Sequence, residues 1–217
     1  MIAKKFRNKT KNLFLQITKP LAILPITPNQ FTFLSIPLAI VAAFFIINRQ
    51  FWLALLFMIL SVSVDLLDGS FAENKKMRTP FGNYFDSIAE KTVESIFYIG
   101  FAFVIPLPAL LAYIGSMLES LAKPRAAMVI ITEEHDWPNI GERGDRLLLL
   151  IFGVLASAIF PSFQMVILTP VFFVIFVFTM IGFVQRIFYA RRLILKAEKN
   201  GTLLPYLKRR KKKFSSF

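Results

Sequence analysis

Cysteine is missing from this 217-residue chain, and histidine occurs once, at position 135. The first absence excludes disulfides, thioether-attached haem and thiolate metal sites, and leaves the compartment undetermined. The second excludes a zinc site built on imidazoles. His135, in a polar loop beside Asp136 and Trp137, reads as a loop residue rather than a catalyst. Acids are scarce too: 13 Asp and Glu stand against 26 Lys and Arg, a net charge of +13. The surplus cations cluster at predicted helix ends and tails. That distribution points to an anionic membrane surface, and without base-stacking aromatics on a basic sheet it argues against nucleic acid as a partner. No internal repeat is visible, and the only biased segment is the basic run 208–213. Lys4, Lys5 and Arg7 are followed by few apolar residues before Lys19, so no secretory signal peptide is expected.

What the chain has in excess is apolar surface. It is 56% hydrophobic with 25 Phe, and its mean hydropathy is +0.60. That exceeds an ordinary soluble domain and predicts an all-α, multi-pass membrane protein formed as a single domain, 1–217. Within the N-terminal segment, 1–25, the spacing of Phe6, Leu13, Phe14 and Ile17 opposite Lys4, Lys5, Lys9 and Lys11 predicts an amphipathic helix lying on the membrane surface. The alternative is a disordered basic tail. Six apolar runs follow, each near the ~20 residues a bilayer needs: 30–47, 51–72, 82–104, 109–132, 145–160 and 165–190. The last continues as a polar helix to Asn200 and Gly201, and a solvated basic tail closes the chain, 202–217. Cations of the N-terminus, of residues 75–78, of residues 143–146 and of the C-terminus all fall on one side. The opposite connections hold only Arg49, so both termini are expected in the cytosol.

Against this background, residues 64–94 carry six carboxylates. Asp65 and Asp68 are three apart and share a helix face with Ala72; Asp86 and Glu90, four apart, share a face of the next helix. A short basic turn joins the two helices, which brings their acidic ends together. Intramembrane acids are expensive and read first as functional. Placement of single acids in the headgroup region would explain one or two of them, but not four at helical spacing on adjoining helices. Four acids facing one gap repel each other unless a cation sits among them, and a hard, oxygen-loving metal such as Mg²⁺ suits them. Gly69 and Gly82 are either helix-packing residues or places where a ligand meets backbone closely. Thr79 caps the third span, and Pro28 and Asn29 form a turn and cap before the first.

Written as D-x2-D-G-x2-A-x9-G-x3-D-x3-E, the stretch resembles the CDP-alcohol phosphotransferase signature D-x2-D-G-x2-A-R-x8-G-x3-D-x3-D. Asp65, Asp68, Gly69, Ala72, Gly82 and Asp86 fall on family positions, while Glu73 replaces an Arg and Glu90 the last Asp. The resemblance implies transfer of a substituted phosphate from a CDP-linked lipid to an alcohol, with release of CMP. It implies that Asp65, Asp68, Asp86 and Glu90 hold Mg²⁺ or Mn²⁺ and that Glu90 takes the acceptor hydroxyl's proton. It places the nucleotide against Pro28, Asn29, Asp65, Asp68, Gly69, Ala72, Thr79 and Gly82. It also implies a homodimer, and an acceptor phosphate held by Arg125, Arg143 and Arg146, which makes inositol phosphate or glycerol phosphate the expected acceptor. At Glu73, either Lys75, Lys76 or Arg78 of the adjoining turn makes good the lost cation, or the chain takes another donor or has lost activity. The rivals are a non-catalytic lipid- or nucleotide-binding relative acting as an assembly subunit, and a transporter. A transporter would be expected to show paired repeats and broken helices at the bilayer centre.

Overall fold

The computed structural model describes residues 2–132, 136–138 and 140–204, with side chains from Asn12 onward. His135 and the basic run 208–213 lie outside the described residues. Seven helices, α1 (Ile2–Leu21), α2 (Pro28–Ile47), α3 (Phe51–Asn74), α4 (Pro80–Ala102), α5 (Pro106–Ala126), α6 (Arg143–Ile159) and α7 (Gln164–Lys199), account for the regular structure, with a 3-10 turn at Pro161–Phe163 and no strand among the described residues. Two compact units divide the chain: residues 1–104 with 154–161, and residues 105–153 with 162–217.

In the first unit α2 packs against both α3 and α4, and α1 packs against α3. Local chemistry fixes where α2 begins. Thr27 Oγ1 accepts from the Gln30 amide, Gln30 Oε1 accepts from the Thr27 amide, and Pro28 takes the first helical position, where no amide donor is needed. Small residues let the helices approach: Ala39, Ala42, Ala43 and Ala54 are fully buried or nearly so. Gly100 of α4 lies so close to α2 that an added Cβ would stand 3.0 Å from Ala43 Cα. Polar side chains tie the same helices, since Ser61 Oγ of α3 donates to Ser35 O of α2 at 2.7 Å. Such small contacts and interhelical hydrogen bonds are how helices hold together where lipid is as apolar as the side chains.

The expected amphipathic segment is helical, over Ile2–Leu21. Asn74 anchors it: its Nδ2 donates to Leu15 O and to Thr18 Oγ1 at 2.9 and 2.8 Å. Three helical stretches are long and apolar enough to cross a membrane: Pro28–Ile47, Phe51–Asn74 and Pro161–Lys199. Their outward faces carry exposed Phe33, Ile40, Phe44, Trp52, Ile59, Val177 and Ile181, an apolar surface that suits lipid rather than water. Of the other expected spans, α4 carries Asp86, Glu90, Lys91 and Glu94, and α6 has 17 residues. One boundary departs clearly. The span expected over 109–132 stops at Ala126, because Pro124 in the last turn removes a backbone donor and crowds the preceding turn.

In the second unit α5 packs against α7. A buried ion network sits there: Arg146 Nη1 and Arg186 Nη1 pair with Glu119 at 2.9 and 2.7 Å, and Arg186 Nη2 pairs with Glu142 at 2.8 Å.

Candidate active site

The acids of α3 and α4 are brought together by how the first unit folds. Helical spacing puts Asp65 and Asp68 on one side of α3, and both are buried. The connection from Lys75 to Thr79 turns sharply through Lys76, whose φ of 54° is left-handed. Thr79 then starts α4 by accepting the Gly82 amide on its hydroxyl at 2.9 Å, with Pro80 next. One oxygen each from Asp65, Asp86 and Glu90 lies within 4.8 Å of the others, Asp65 buried and the other two half-buried. Asp68 stands outside that trio. Its Oδ2 accepts a hydrogen bond from Thr32 Oγ1 of α2 at 2.7 Å.

Carboxylates held this close repel one another, and Asp86 Oδ1 is buried with no hydrogen-bond donor among the described residues. Three acidic oxygens and no softer ligand form a donor set that fits a hard divalent cation. The longer side chain of Glu90 does not disturb the arrangement, because its carboxylate reaches the same small volume as those of Asp65 and Asp86.

Beside the acids opens a cavity of about 230 Å³, lined by Pro28, Asn29 and Thr32 from α2, Asp68, Gly69 and Ala72 from α3, Met77, Arg78 and Thr79 from the turn, and Gly82, Asn83 and Asp86 from α4. Every residue expected at the nucleotide lines this cavity except Asp65, which belongs to the acid trio. The two glycines differ. A Cβ on Gly69 would meet nothing within 4 Å, so no neighbouring helix requires a glycine there. One on Gly82 would crowd Thr79 Oγ1 at 3.1 Å and Asn29 Oδ1 at 3.4 Å, so this glycine keeps the cap and the α2 terminus close together.

Sequence reasoning gave Thr32 no role and left out Met77 and Asn83. Thr32 sits one helical turn past Pro28, which is the signal that would have placed it on the same wall. At position 73 the structure shows an ion pair: Glu73 Oε2 meets Arg78 Nη2 at 2.9 Å. Lys75 is occupied elsewhere, donating to Leu24 O and Ile26 O at 2.6 Å each.

The three arginines expected at an acceptor phosphate lie in the second unit and have different surroundings. Arg125 is exposed near the end of α5, its Nη1 3.8 Å from Met128 Sδ. Arg143, half-buried, opens α6. Arg146 is 1% exposed and committed to Glu119 and to Gly141 O. Its guanidinium is thus bonded within the second unit. Arg146 is flanked by an acid 27 residues earlier in the chain, which spacing alone does not reveal. Lys91 and Glu94 form an ion pair along α4, at 3.2 Å.

Comparison with known proteins agrees with this geometry. A profile of the CDP-alcohol phosphatidyltransferase family matches residues 25–176. The archaetidylinositol phosphate synthase of Pyrococcus horikoshii is 27% identical over 192 residues, covering 87% of this chain and 96% of that protein. Two crystal structures of the Mycobacterium tuberculosis phosphatidylinositol phosphate synthase share the fold at 22% identity. The one with CDP-DAG bound gives a TM-score of 0.69, covering 81% of this chain and 94% of that one. The one in complex with manganese and citrate gives 0.71, covering 82% and 88%. The profile match takes in α2 to α6, including the acid trio and the whole cavity lining, and the chain belongs to the CDP-alcohol phosphatidyltransferase family.

Proposed function

We propose that this enzyme moves a phosphatidyl-type group from a CDP-linked lipid to inositol phosphate. The observation that carries the reading is the meeting of Asp65, Asp86 and Glu90 within 4.8 Å at the edge of a cavity walled by small and polar residues. Gly69, Ala72 and Gly82 leave space for the cytidine diphosphate, while Pro28, Asn29, Thr32 and Thr79 form the polar end of α2 and the cap of α4 against which it rests. A divalent cation, Mg²⁺ or Mn²⁺, held by Asp65, Asp86 and Glu90 with Asp68 adjoining, supplies the charge neutralisation that a diphosphate and a departing CMP require. Thr32 orients Asp68 by its hydrogen bond. Glu90, half-buried in the trio, takes the proton of the acceptor hydroxyl as that oxygen attacks the lipid-side phosphorus.

The acceptor follows from two supports. The Pyrococcus relative is named as an inositol phosphate lipid synthase, and the second unit offers Arg125 and Arg143, whose forked donors suit a phosphate. Around this site the chain is read as one domain with six spans, α2 to α7, with α4 packed against α2. The N-terminal helix lies at the interface, and the exposed Leu13 and Ile17 give it an apolar face. The distribution of cations puts both termini and the acid trio on the cytosolic side, and the protein is read as a homodimer. Purified enzyme given a CDP-linked lipid and Mg²⁺ is expected to release CMP with inositol phosphate and not with free inositol or glycerol phosphate. Equal turnover with all three acceptors would overturn the acceptor assignment, and no CMP release from folded protein with any acceptor would overturn the reading itself.

A further inference from the structure

Given that the cavity is the donor's nucleotide site, the reading on which this rests, we infer that Arg78 is the residue that holds the donor's diphosphate, and that Glu73 positions it. The cavity wall contains two carboxylates, Asp68 and Asp86, and Arg78 is the one cation among the lining residues. A diphosphate entering there adds negative charge to negative charge, so the single guanidinium on the wall has an electrostatic task that no other lining residue can perform.

The guanidinium is held in a definite orientation. Its Nη2 meets Glu73 Oε2 at 2.9 Å and donates to Gly69 O at 3.2 Å, which pins it to the wall of α3 beside the open face of Gly69. Both contacts use the same nitrogen. The fork's remaining donors, on Nε and Nη1, make no hydrogen bond to another described residue and stay available for two phosphate oxygens. The other cations of the turn are unsuited. Lys75 is drawn away to the carbonyls of Leu24 and Ile26, and Lys76, exposed in its left-handed turn position, does not line the cavity. Stability gives no competing explanation for the Glu73–Arg78 pair. Its side chains are 33% and 60% exposed, and pairs so open to water contribute little to the folded state.

Glu73 is thereby a positioning residue. A carboxylate next in the chain to Ala72 of the cavity wall would by itself repel the donor; paired, it aims an arginine that sits five positions further along the chain.

The experiment measures KM for a CDP-linked lipid and Kd for CDP with Mg²⁺ on the full-length enzyme and three variants. Arg78→Gln is expected to raise both by about 10- to 100-fold, the loss of a charge-assisted contact, with kcat and melting temperature little changed. Arg78→Lys recovers part of the loss, since the point charge remains and the fork does not. Glu73→Gln raises KM several-fold while the acceptor's KM stays constant. An Arg78→Gln enzyme with donor KM and CDP affinity within twofold of wild type would overturn the inference, as would a fall confined to kcat. Wild-type protein that neither binds CDP nor releases CMP would instead overturn the donor-site reading beneath it.

Discussion

Gly69→Ala is expected to stabilise this enzyme and weaken it at once. Gly69 lies in the interior of α3, where glycine costs a helix roughly 0.5–1 kcal/mol relative to alanine because its unfolded backbone is freer. The added methyl would meet nothing within 4 Å, so no clash offsets that gain, and thermal or denaturant unfolding in detergent should show a rise of about that size. The same methyl projects from a residue that lines the cavity beside the acids, where the nucleotide is proposed to sit. Overfilling a well-packed contact costs about 1–3 kcal/mol, so CDP affinity, read by calorimetry with Mg²⁺ present, should fall roughly 5- to 150-fold. Gly100→Ala supplies the contrast. Its Cβ would stand 3.0 Å from Ala43 Cα and 3.3 Å from Ala43 O, so it should destabilise α2 against α4 by about 1–3 kcal/mol and leave CDP affinity alone. A Gly69→Ala protein that is less stable, or that binds CDP as tightly as wild type, would refute the assignment of this face to ligand and return Gly69 to helix packing.

Other outcomes follow from contacts in each unit. Thr32→Val removes the donor to Asp68 Oδ2 and leaves that buried oxygen unsatisfied, so stability should drop by about 1–3 kcal/mol in urea unfolding and donor KM should rise; an unchanged unfolding midpoint would contradict the role given to the hydroxyl. Glu119→Gln takes the carboxylate from two buried arginines, Arg146 and Arg186, and should cost about 3–5 kcal/mol of stability, whereas a melting temperature equal to wild type would show the network to be dispensable.

Much of the site was legible in the order of residues because helical spacing is geometry. Residues three or four apart share a face whatever surrounds them, so Asp65 with Asp68 and Asp86 with Glu90 could be paired without a structure. Thr79 could be read as the cap of α4 from the sequence alone. What spacing does not encode is choice among neighbours. Lys75, Lys76 and Arg78 are equal candidates along the chain, and a left-handed residue at Lys76 together with the carbonyls of Leu24 and Ile26 decides between them. Likewise Asp68 is drawn to Thr32, 36 residues earlier, and so leaves the trio. Arg146 counted as a loop cation until Glu119, on another helix, claimed it. Of the six runs read as spans, three form helices long and apolar enough to cross a membrane, and α4, which carries the acids of the site, is not among them.

The central claim is that Asp65, Asp86 and Glu90 bind one divalent ion together with the nucleotide. Electron paramagnetic resonance of Mn²⁺ titrated into the purified protein with CDP present tests it most directly. Wild type is expected to bind Mn²⁺ and to bind it more tightly with CDP, while Asp86→Asn should lose both the binding and the effect of CDP. Mn²⁺ binding of the same strength in Asp86→Asn, or binding indifferent to CDP, would contradict the account.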